Sequence, residues 1–312
     1  MNERKELLPY AGLVTAMLFW AVSYVWVKEA YDSFTPITLV FFRLLLSTIL
    51  LLVIGKLLKR LNPIKKGTVK NLMLLAFFEP LLYYIGESYG ISMVSPTTGS
   101  IIIATTPLFV ALSSFLFFKE RLPFLSFIGA LISFSGVLLM IISNGDNLKG
   151  QALGILLMFL AVSSVVGYTL ILNKISTQYT PFSLITYQNA FGAIFFAPIF
   201  FINDYQSFSF TAVTAESWQK LFLLAFFCSS IAYILFVDGI RHIGVSKANY
   251  FINLIPVFTA TFAIHKGLDT LNVYMVAGIA LTVGGLFLSQ FKGSFFRRTL
   301  KKVLKRKKPL TS

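Results

Sequence analysis

Residues 72–90 read LMLLAFFEPLLYYIGESYG, and residues 221–239 read LFLLAFFCSSIAYILFVDG. A shift of 149 residues superposes the two stretches, and the match then runs without a gap from Leu72 to Leu139. A match of this length is too long for chance similarity between apolar segments. The chain is therefore predicted to contain two copies of one structural unit.

Prolines, glycines and polar residues are stronger evidence for the repeat than the apolar residues are. The same shift superposes Tyr84 on Tyr233, Pro107 on Pro256, Glu120 on Asp269, Gly129 on Gly278 and Gly136 on Gly285. Further upstream the register slips to a shift of 145, which pairs Thr35-Pro36 with Thr180-Pro181 and Arg43 with Gln188.

The composition places both copies in a membrane. Of the 312 residues, 56% are hydrophobic and 12% are charged, with a mean hydropathy of +0.79, whereas a soluble domain carries about 25% charged residues. Apolar runs of about 20 residues, the length that crosses a bilayer as a helix, recur along nearly the whole chain. The predicted fold is an all-α integral membrane protein.

Hydropathy and flanking charges predict ten transmembrane helices. They lie near residues 8–28, 35–57, 68–90, 94–117, 122–142, 150–172, 181–202, 217–240, 244–265 and 270–290. Each repeat holds five spans, in residues 1–143 and 150–291, and residues 292–312 form a basic tail. Because five is odd, the second repeat enters the membrane from the opposite side, so the two five-helix repeats are inverted.

Basic residues predict the orientation. Assigning alternate loops to the two sides puts 22 Lys and Arg on the side of the N-terminus and four on the other, with Arg43 inside a span. The positive-inside rule then places both termini in the cytoplasm of a multi-pass cell-membrane protein. This topology explains the net charge of +15 better than nucleic-acid binding does, although the tail could also contact anionic lipid headgroups.

Inverted repeats are typical of secondary transporters, in which a site between two similar halves opens to one side and then to the other. Some channels also contain inverted repeats, so a solute channel remains an alternative. The sequence contains neither a phosphate-binding G-x-x-x-x-G-K-[ST] loop nor an H-E-x-x-H motif. We therefore expect no enzyme activity, no cofactor and no metal site, and the lone Cys228 is interpreted as a packing residue.

Several motifs resemble the drug/metabolite transporter superfamily in its ten-span EamA-type branch. They are Trp20-Ala21, Lys28, Arg43, Pro107-Leu108-Phe109, Glu120-Arg121-Leu122 and Gly129, with repeats at Pro256-Val257-Phe258, Asp269 and Gly278. Two positions depart from the family pattern: Ala21 replaces a glycine, and Asp269-Thr270-Leu271 replaces a second Glu-Arg-Leu. The resemblance implies export of an amino acid or another small metabolite, or, alternatively, proton-coupled efflux of drugs and hydrophobic compounds.

Three ionisable residues within the spans are the strongest site candidates, because a charge near the bilayer centre costs about 2.5 to 3.5 kcal/mol on insertion scales. They are Arg43 in span 2 and Glu79 and Glu87 in span 3. In a functional interpretation Arg43 holds a substrate carboxylate or one of the glutamates, and Glu79 takes up a proton during transport. In the structural interpretation they form an ion pair that fixes spans 2 and 3.

Further polar residues in the spans are weaker candidates for solute binding. Tyr83 lies four residues after Glu79 and four residues before Glu87. The three side chains are therefore predicted to share one helical face. The others are Tyr84, Ser100, Thr106, Tyr168, Gln188, Tyr233, Asn249 and Asn253. Hydrogen bonds between helices are the alternative for each of them. Pro107 and Pro256 interrupt their spans at symmetric positions and are predicted to be hinges or static kinks.

Overall fold

A computed structural model describes residues 3–110, 124–143, 148–269 and 272–290. Within these ranges the chain is helical and contains no β-strand. The α-helices are α1 (Glu3–Ala30), α2 (Pro36–Leu57), α3 (Val69–Ala76), α4 (Tyr83–Met93), α5 (Pro96–Ala104), α6 (Phe124–Ser143), α7 (Leu148–Ile175), α8 (Pro181–Asn203), α9 (Ala215–Leu223), α10 (Tyr233–Ile243), α11 (Val245–Tyr250), α12 (Ile255–His265) and α13 (Val273–Gln290). Residues 292–312, the predicted basic tail, and the Glu120-Arg121-Leu122 motif lie outside the described ranges.

Five of the described helical stretches are long and apolar enough to cross a membrane. They are Leu7–Ala30, Pro36–Leu57, Gln151–Leu172, Pro181–Asn203 and Ala215–Ile243. Two shorter apolar stretches are Pro96–Val110 and Val276–Gly285. The prediction of an all-helical membrane protein is thereby confirmed, while the number of ten spans stays a prediction.

Two of the predicted spans are divided by a π-helical segment. The first broken helix consists of α3, the first π segment (Phe77–Leu82) and α4, and the second consists of α9, the second π segment (Leu224–Ala232) and α10. In the first, Pro80 has no N–H to donate, and Glu79 has an extended backbone with φ −146° and ψ 114°. Hydropathy did not predict either break, since the apolar character is continuous through both.

Two other spans are interrupted just before a proline. Helix α5 ends at Ala104 and a helical turn resumes at 106–110, around Pro107. In the second half α11 is followed by a 3₁₀ segment, Phe251–Leu254, and α12 then begins one residue before Pro256. Proline fits the first turn of a helix because its missing N–H would be unpaired there in any case.

Helices α2 and α8 pack against each other and are joined by hydrogen bonds at both ends. At the start of α2, Asp204 accepts hydrogen bonds from the hydroxyls of Thr35 and Thr38, the latter at 2.8 Å. At the start of α8, the Thr180 N–H donates to Asn62 Oδ1 at 3.1 Å. The start of each helix therefore contacts the segment that follows the other helix, as expected for an antiparallel pair.

Helices α6 and α13 approach each other through small residues. A Cβ at Gly136 would lie 2.5 Å from the Gly278 carbonyl oxygen, and one at Gly285 would lie 2.5 Å from the Ser133 backbone nitrogen. Only glycine allows the two backbones to come this close, which is the usual way that helices pack in a membrane.

A cluster of charged residues joins one end of α1 to the second half of the chain. Glu29 contacts Lys220 at 2.6 Å and Lys266 at 3.1 Å. Beside it, Lys28 Nζ donates to the Ser92 carbonyl at 3.4 Å. The predicted topology assigns Lys28, Lys220 and Lys266 to the side opposite the N-terminus, and all three lie at the end of the molecule where α1 ends.

Candidate functional site

A central cavity lies between α1, α2, α5, α7, the two broken helices and the 3₁₀ segment before α12, with about 630 Å³ of empty space that includes its open side. Eight of the predicted site residues line it: Arg43, Glu79, Tyr83, Tyr84, Glu87, Thr106, Tyr168 and Tyr233. The structure thus brings together side chains that are up to 190 residues apart in sequence.

Arg43 is held on one side of the cavity and is only 4% exposed. Its Nε donates to Ser229 Oγ at 2.6 Å, and its guanidinium carbon lies 4.8 Å from the centre of the Tyr84 ring. Within the described part of the chain, no carboxylate oxygen lies within 4.0 Å of the guanidinium. The Arg43 guanidinium therefore lines the cavity without a counter-ion in direct contact among the described residues.

Glu79 occupies the break of the first broken helix and is 5% exposed. The Tyr233 hydroxyl donates a hydrogen bond to its Oε1. Tyr233 begins α10, so the donor comes from the opposite half of the chain. The extended backbone at Glu79 takes the carboxylate out of the helical pattern and directs it toward the cavity.

Glu87 lies two turns further along the first broken helix. Its Oε1 accepts a hydrogen bond from the Tyr83 hydroxyl at 2.9 Å. Tyr83 and Glu87 are four residues apart in α4 and share one face, as their spacing predicts. Glu79 belongs to the same cavity because of the helix break, not because of a continuous helical face.

The Tyr168 hydroxyl lies beside the Gln188 side chain. The Tyr168 side chain is 2% exposed and lines the cavity, and its hydroxyl makes no hydrogen bond within 3.5 Å to the described residues. A buried hydroxyl in this state loses about 1 to 3 kcal/mol relative to a paired one. A solute or water in the cavity would supply the missing partner.

Four predicted residues are buried but do not line the cavity. The Ser100 hydroxyl donates within its own helix to the Thr97 carbonyl at 2.8 Å. Gln188 lies near Tyr168, and its Oε1 is unpartnered within the described part of the chain. Asn249 Nδ2 and both amide atoms of Asn253 are likewise buried without a partner among those residues. The predicted hinges Pro107 and Pro256 lie beside the cavity, next to Thr106 and Ile255.

The apolar and aromatic walls include residues that the sequence did not single out. Tyr24, Thr169, Phe236 and Ile252 all line the cavity. Trp20, which the sequence did single out, also lines the cavity, with its ring centre 4.9 Å from that of Tyr233 and the two ring planes at 68°. Tyr24 follows Trp20 by four residues on α1, but so many aromatic residues occur in the spans that spacing alone does not select it.

Buried charges within apolar helices that surround a central cavity are typical of one class of protein, the polytopic membrane transporters. The chain belongs to the EamA-like transporter family, whose model matches residues 7–142 and again residues 152–291. The expected resemblance to drug/metabolite transporters of the EamA type is confirmed by these two matches. The family is one of transporters rather than of enzymes.

Similar proteins agree with this assignment. An uncharacterized transporter of Archaeoglobus fulgidus is 27% identical over 300 residues, covering 94% of this chain and 99% of that protein. The uncharacterized transporter YetK of Bacillus subtilis is 24% identical over 295 residues, covering 93% and 88% respectively. A crystal structure at 16% identity superposes with a TM-score of 0.68 over 91% of this chain and 98% of that one, which shows a shared fold.

Proposed function

We propose that this protein is a secondary transporter that moves a small metabolite such as an amino acid across the cell membrane by alternating access. The supporting observation is that Arg43, Glu79 and Glu87 line one buried cavity although no ion pair within 4.0 Å joins them in the described chain. Charges placed in a low-dielectric region without counter-ions are costly. A solute with a carboxylate and an ammonium group would neutralise both signs.

The proposed architecture is ten spans in two inverted five-helix repeats, residues 1–143 and 150–291. Its support is the correspondence between the two broken helices, between the interruptions before Pro107 and Pro256, and between the threonine caps at the starts of α2 and α8. In such an arrangement each half can adopt the conformation of the other, which opens the cavity first to one side and then to the other. Pro107 and Pro256 are the proposed hinges.

In the proposed topology both termini are cytoplasmic and the Glu29 cluster faces the opposite side. The clustering of Lys28, Lys220 and Lys266 at one molecular end supports this assignment, because the loop charges predicted the same side for all three. Transport in the outward direction, as an exporter or exchanger, follows the resemblance to the family. The solute and the lipid bilayer are the proposed partners.

Proton coupling through Glu79 is part of the proposal. Glu79 is buried in the cavity, and its contact with Tyr233 links it to the second half of the chain. Binding and release of a proton at this position would change the interaction between the halves. A proton-coupled efflux carrier for hydrophobic compounds is the second candidate, and the aromatic walls formed by Trp20, Tyr24 and Phe236 favour it.

The test is uptake and counterflow in proteoliposomes with labelled amino acids and related metabolites, with and without a pH gradient. A carrier should saturate and should be stimulated by unlabelled solute on the far side, whereas a channel shows neither. We expect Arg43→Gln to abolish the saturable flux of amino acids. The matched control is Arg241→Gln, since Arg241 is exposed and outside the cavity.

The outcomes separate the candidates. Saturable, trans-stimulated flux of an amino acid that Arg43→Gln removes and Arg241→Gln retains would support the first proposal. Flux of hydrophobic cations alone, driven by the pH gradient, would support the efflux carrier instead. Flux that rises linearly with solute concentration and ignores the far side would contradict alternating access.

A further inference from the structure

A buried hydrogen-bond network lies directly behind Arg43. Ser229 Oγ accepts from Arg43 Nε at 2.6 Å, and Tyr84 Oη lies 3.4 Å from the same hydroxyl oxygen. Ser229 is completely buried and belongs to the second π segment. The bond from Nε to Ser229 is the one hydrogen bond of Arg43 within the described residues. Both terminal nitrogens of the guanidinium therefore have no protein acceptor among those residues.

The position of Ser229 is itself fixed by neighbouring helices. Asn189 Nδ2 donates to the Ser229 carbonyl at 2.8 Å and to Ser47 Oγ at 2.8 Å. Ser47 Oγ lies 2.7 Å from Ser230 Oγ, and Ser230 in turn donates to the Ala225 carbonyl at 2.8 Å. The network therefore spans α2, α8 and the second π segment.

We propose that Ser229 is a positioning residue that sets the orientation of Arg43 for binding the anionic group of the solute. The proposal deepens the proposed function and rests on it. By engaging Nε, Ser229 aligns the guanidinium plane and leaves the Nη1 and Nη2 atoms for a bidentate contact with an oxyanion. The Tyr84 ring at 4.8 Å from the guanidinium carbon restricts the remaining rotation.

The geometry of Arg43 favours the binding of a planar oxyanion such as a carboxylate. A carboxylate matches the fork of a guanidinium, and its two oxygens satisfy two N–H donors at once. The neighbouring aromatic rings would accept an aromatic or aliphatic body. A carboxylate attached to a ring is therefore a suitable probe, and benzoate provides one while benzamide provides its neutral analogue.

The experiment measures binding of benzoate and benzamide to the purified full-length protein by titration calorimetry. We expect Ser229→Ala to weaken benzoate binding about tenfold, which corresponds to about 1.4 kcal/mol. Ser229→Thr, which retains the hydroxyl, should lose less affinity for benzoate than Ser229→Ala does. Ser163→Ala is the matched control, because Ser163 is exposed and donates only within its own helix. In counterflow, Ser229→Ala should raise KM and leave the maximal rate unchanged.

The results distinguish this proposal from the proposed function. If Arg43→Gln loses benzoate while Ser229→Ala binds it as wild type does, the positioning role is wrong and the anion site stands. If benzoate binds wild type and Arg43→Gln equally, or binds neither, the anion site fails and this proposal fails with it. Thermal unfolding checks each variant, and Ser229→Cys, which retains the volume, replaces Ser229→Ala if the alanine variant unfolds.

Discussion

The two broken helices begin their π segments within the same five residues, Leu-Leu-Ala-Phe-Phe, yet they present different chemistry to the cavity. In the first, the break exposes the carboxylate of Glu79; at the equivalent point of the second stands Cys228, followed by Ser229. Pro80 occurs only in the first. Both helices share the backbone interruption. In the first half it carries the carboxylate of Glu79, and in the second half it carries Ser229, which contacts Arg43.

The surroundings of Glu79 and Cys228 explain why the two positions are not interchangeable. Glu79 lines the cavity and accepts a hydrogen bond from Tyr233. Cys228 is fully buried, and its thiol donates to the Phe19 carbonyl at 3.2 Å, against α1. One side chain therefore lies where a solute or proton can reach it, and the other lies in a helix interface.

The largest expected effect is on the second broken helix. Cys228→Glu should destabilise the protein by about 2.5 to 3.5 kcal/mol, because it places a larger, charged side chain in a fully buried helix interface. Cys228→Ser, which is nearly isosteric, should cost less than about 1 kcal/mol. Thermal unfolding in detergent measures both. Equal stability of the two variants would mean that position 228 has access to water. Positions 79 and 228 would then not differ in their surroundings.

The next effect concerns transport. Glu79→Gln should reduce pH-driven transport about 100-fold, equivalent to about 2.7 kcal/mol, because an amide has the shape of the carboxylate but cannot bind and release the proton. Asp238→Asn is the matched control, since Asp238 is partly exposed on α10 and outside the cavity. Proteoliposome uptake under an imposed pH gradient provides the measurement. Full pH-driven activity in Glu79→Gln would remove Glu79 from the coupling mechanism.

The symmetric tyrosines at the ends of the two π segments sharpen the same comparison. Tyr233 donates to Glu79, so Tyr233→Phe should reduce transport about tenfold through the loss of a hydrogen bond to a charged group. Tyr84 contributes mainly its ring beside Arg43, so Tyr84→Phe should change the rate by less than about twofold. Initial rates measured at saturating solute separate the two. Equal effects would show that the hydroxyls act alike and that the halves do not differ here.

The sequence predicted the helical membrane class and the family because hydropathy and the repeat are properties of local sequence. It also selected Arg43, Glu79 and Glu87, since an ionisable residue within an apolar run is conspicuous. It did not predict Ser229 as a contact of Arg43. Serines are common in membrane helices, and this contact depends on a π segment and on packing across 186 residues of sequence.

Asn249 and Asn253 show the opposite limit of sequence reasoning. Their spacing of four residues would place them on one face of a regular α-helix, but Asn253 belongs to the 3₁₀ segment Phe251–Leu254, which changes the rotation per residue. Ile252 and Ile255 line the cavity in their place. Whether such residues meet a solute depends on the break in the helix, which no periodicity in the sequence reports.

The smallest effect tests whether the second broken helix is supported by more than one contact. Ser230→Ala removes the contact with Ser47 at 2.7 Å but leaves the hydrogen bond between Arg43 and Ser229 in place. Hydrogen bonds between membrane helices average about 0.6 kcal/mol, so the unfolding free energy should fall by about that amount and the affinity for benzoate should stay unchanged. Thermal unfolding and calorimetry of this variant beside Ser229→Ala measure the two quantities. If Ser230→Ala loses as much benzoate affinity as Ser229→Ala, the two serines act together. The orientation of Arg43 would then depend on the whole network that joins α2 to the second π segment.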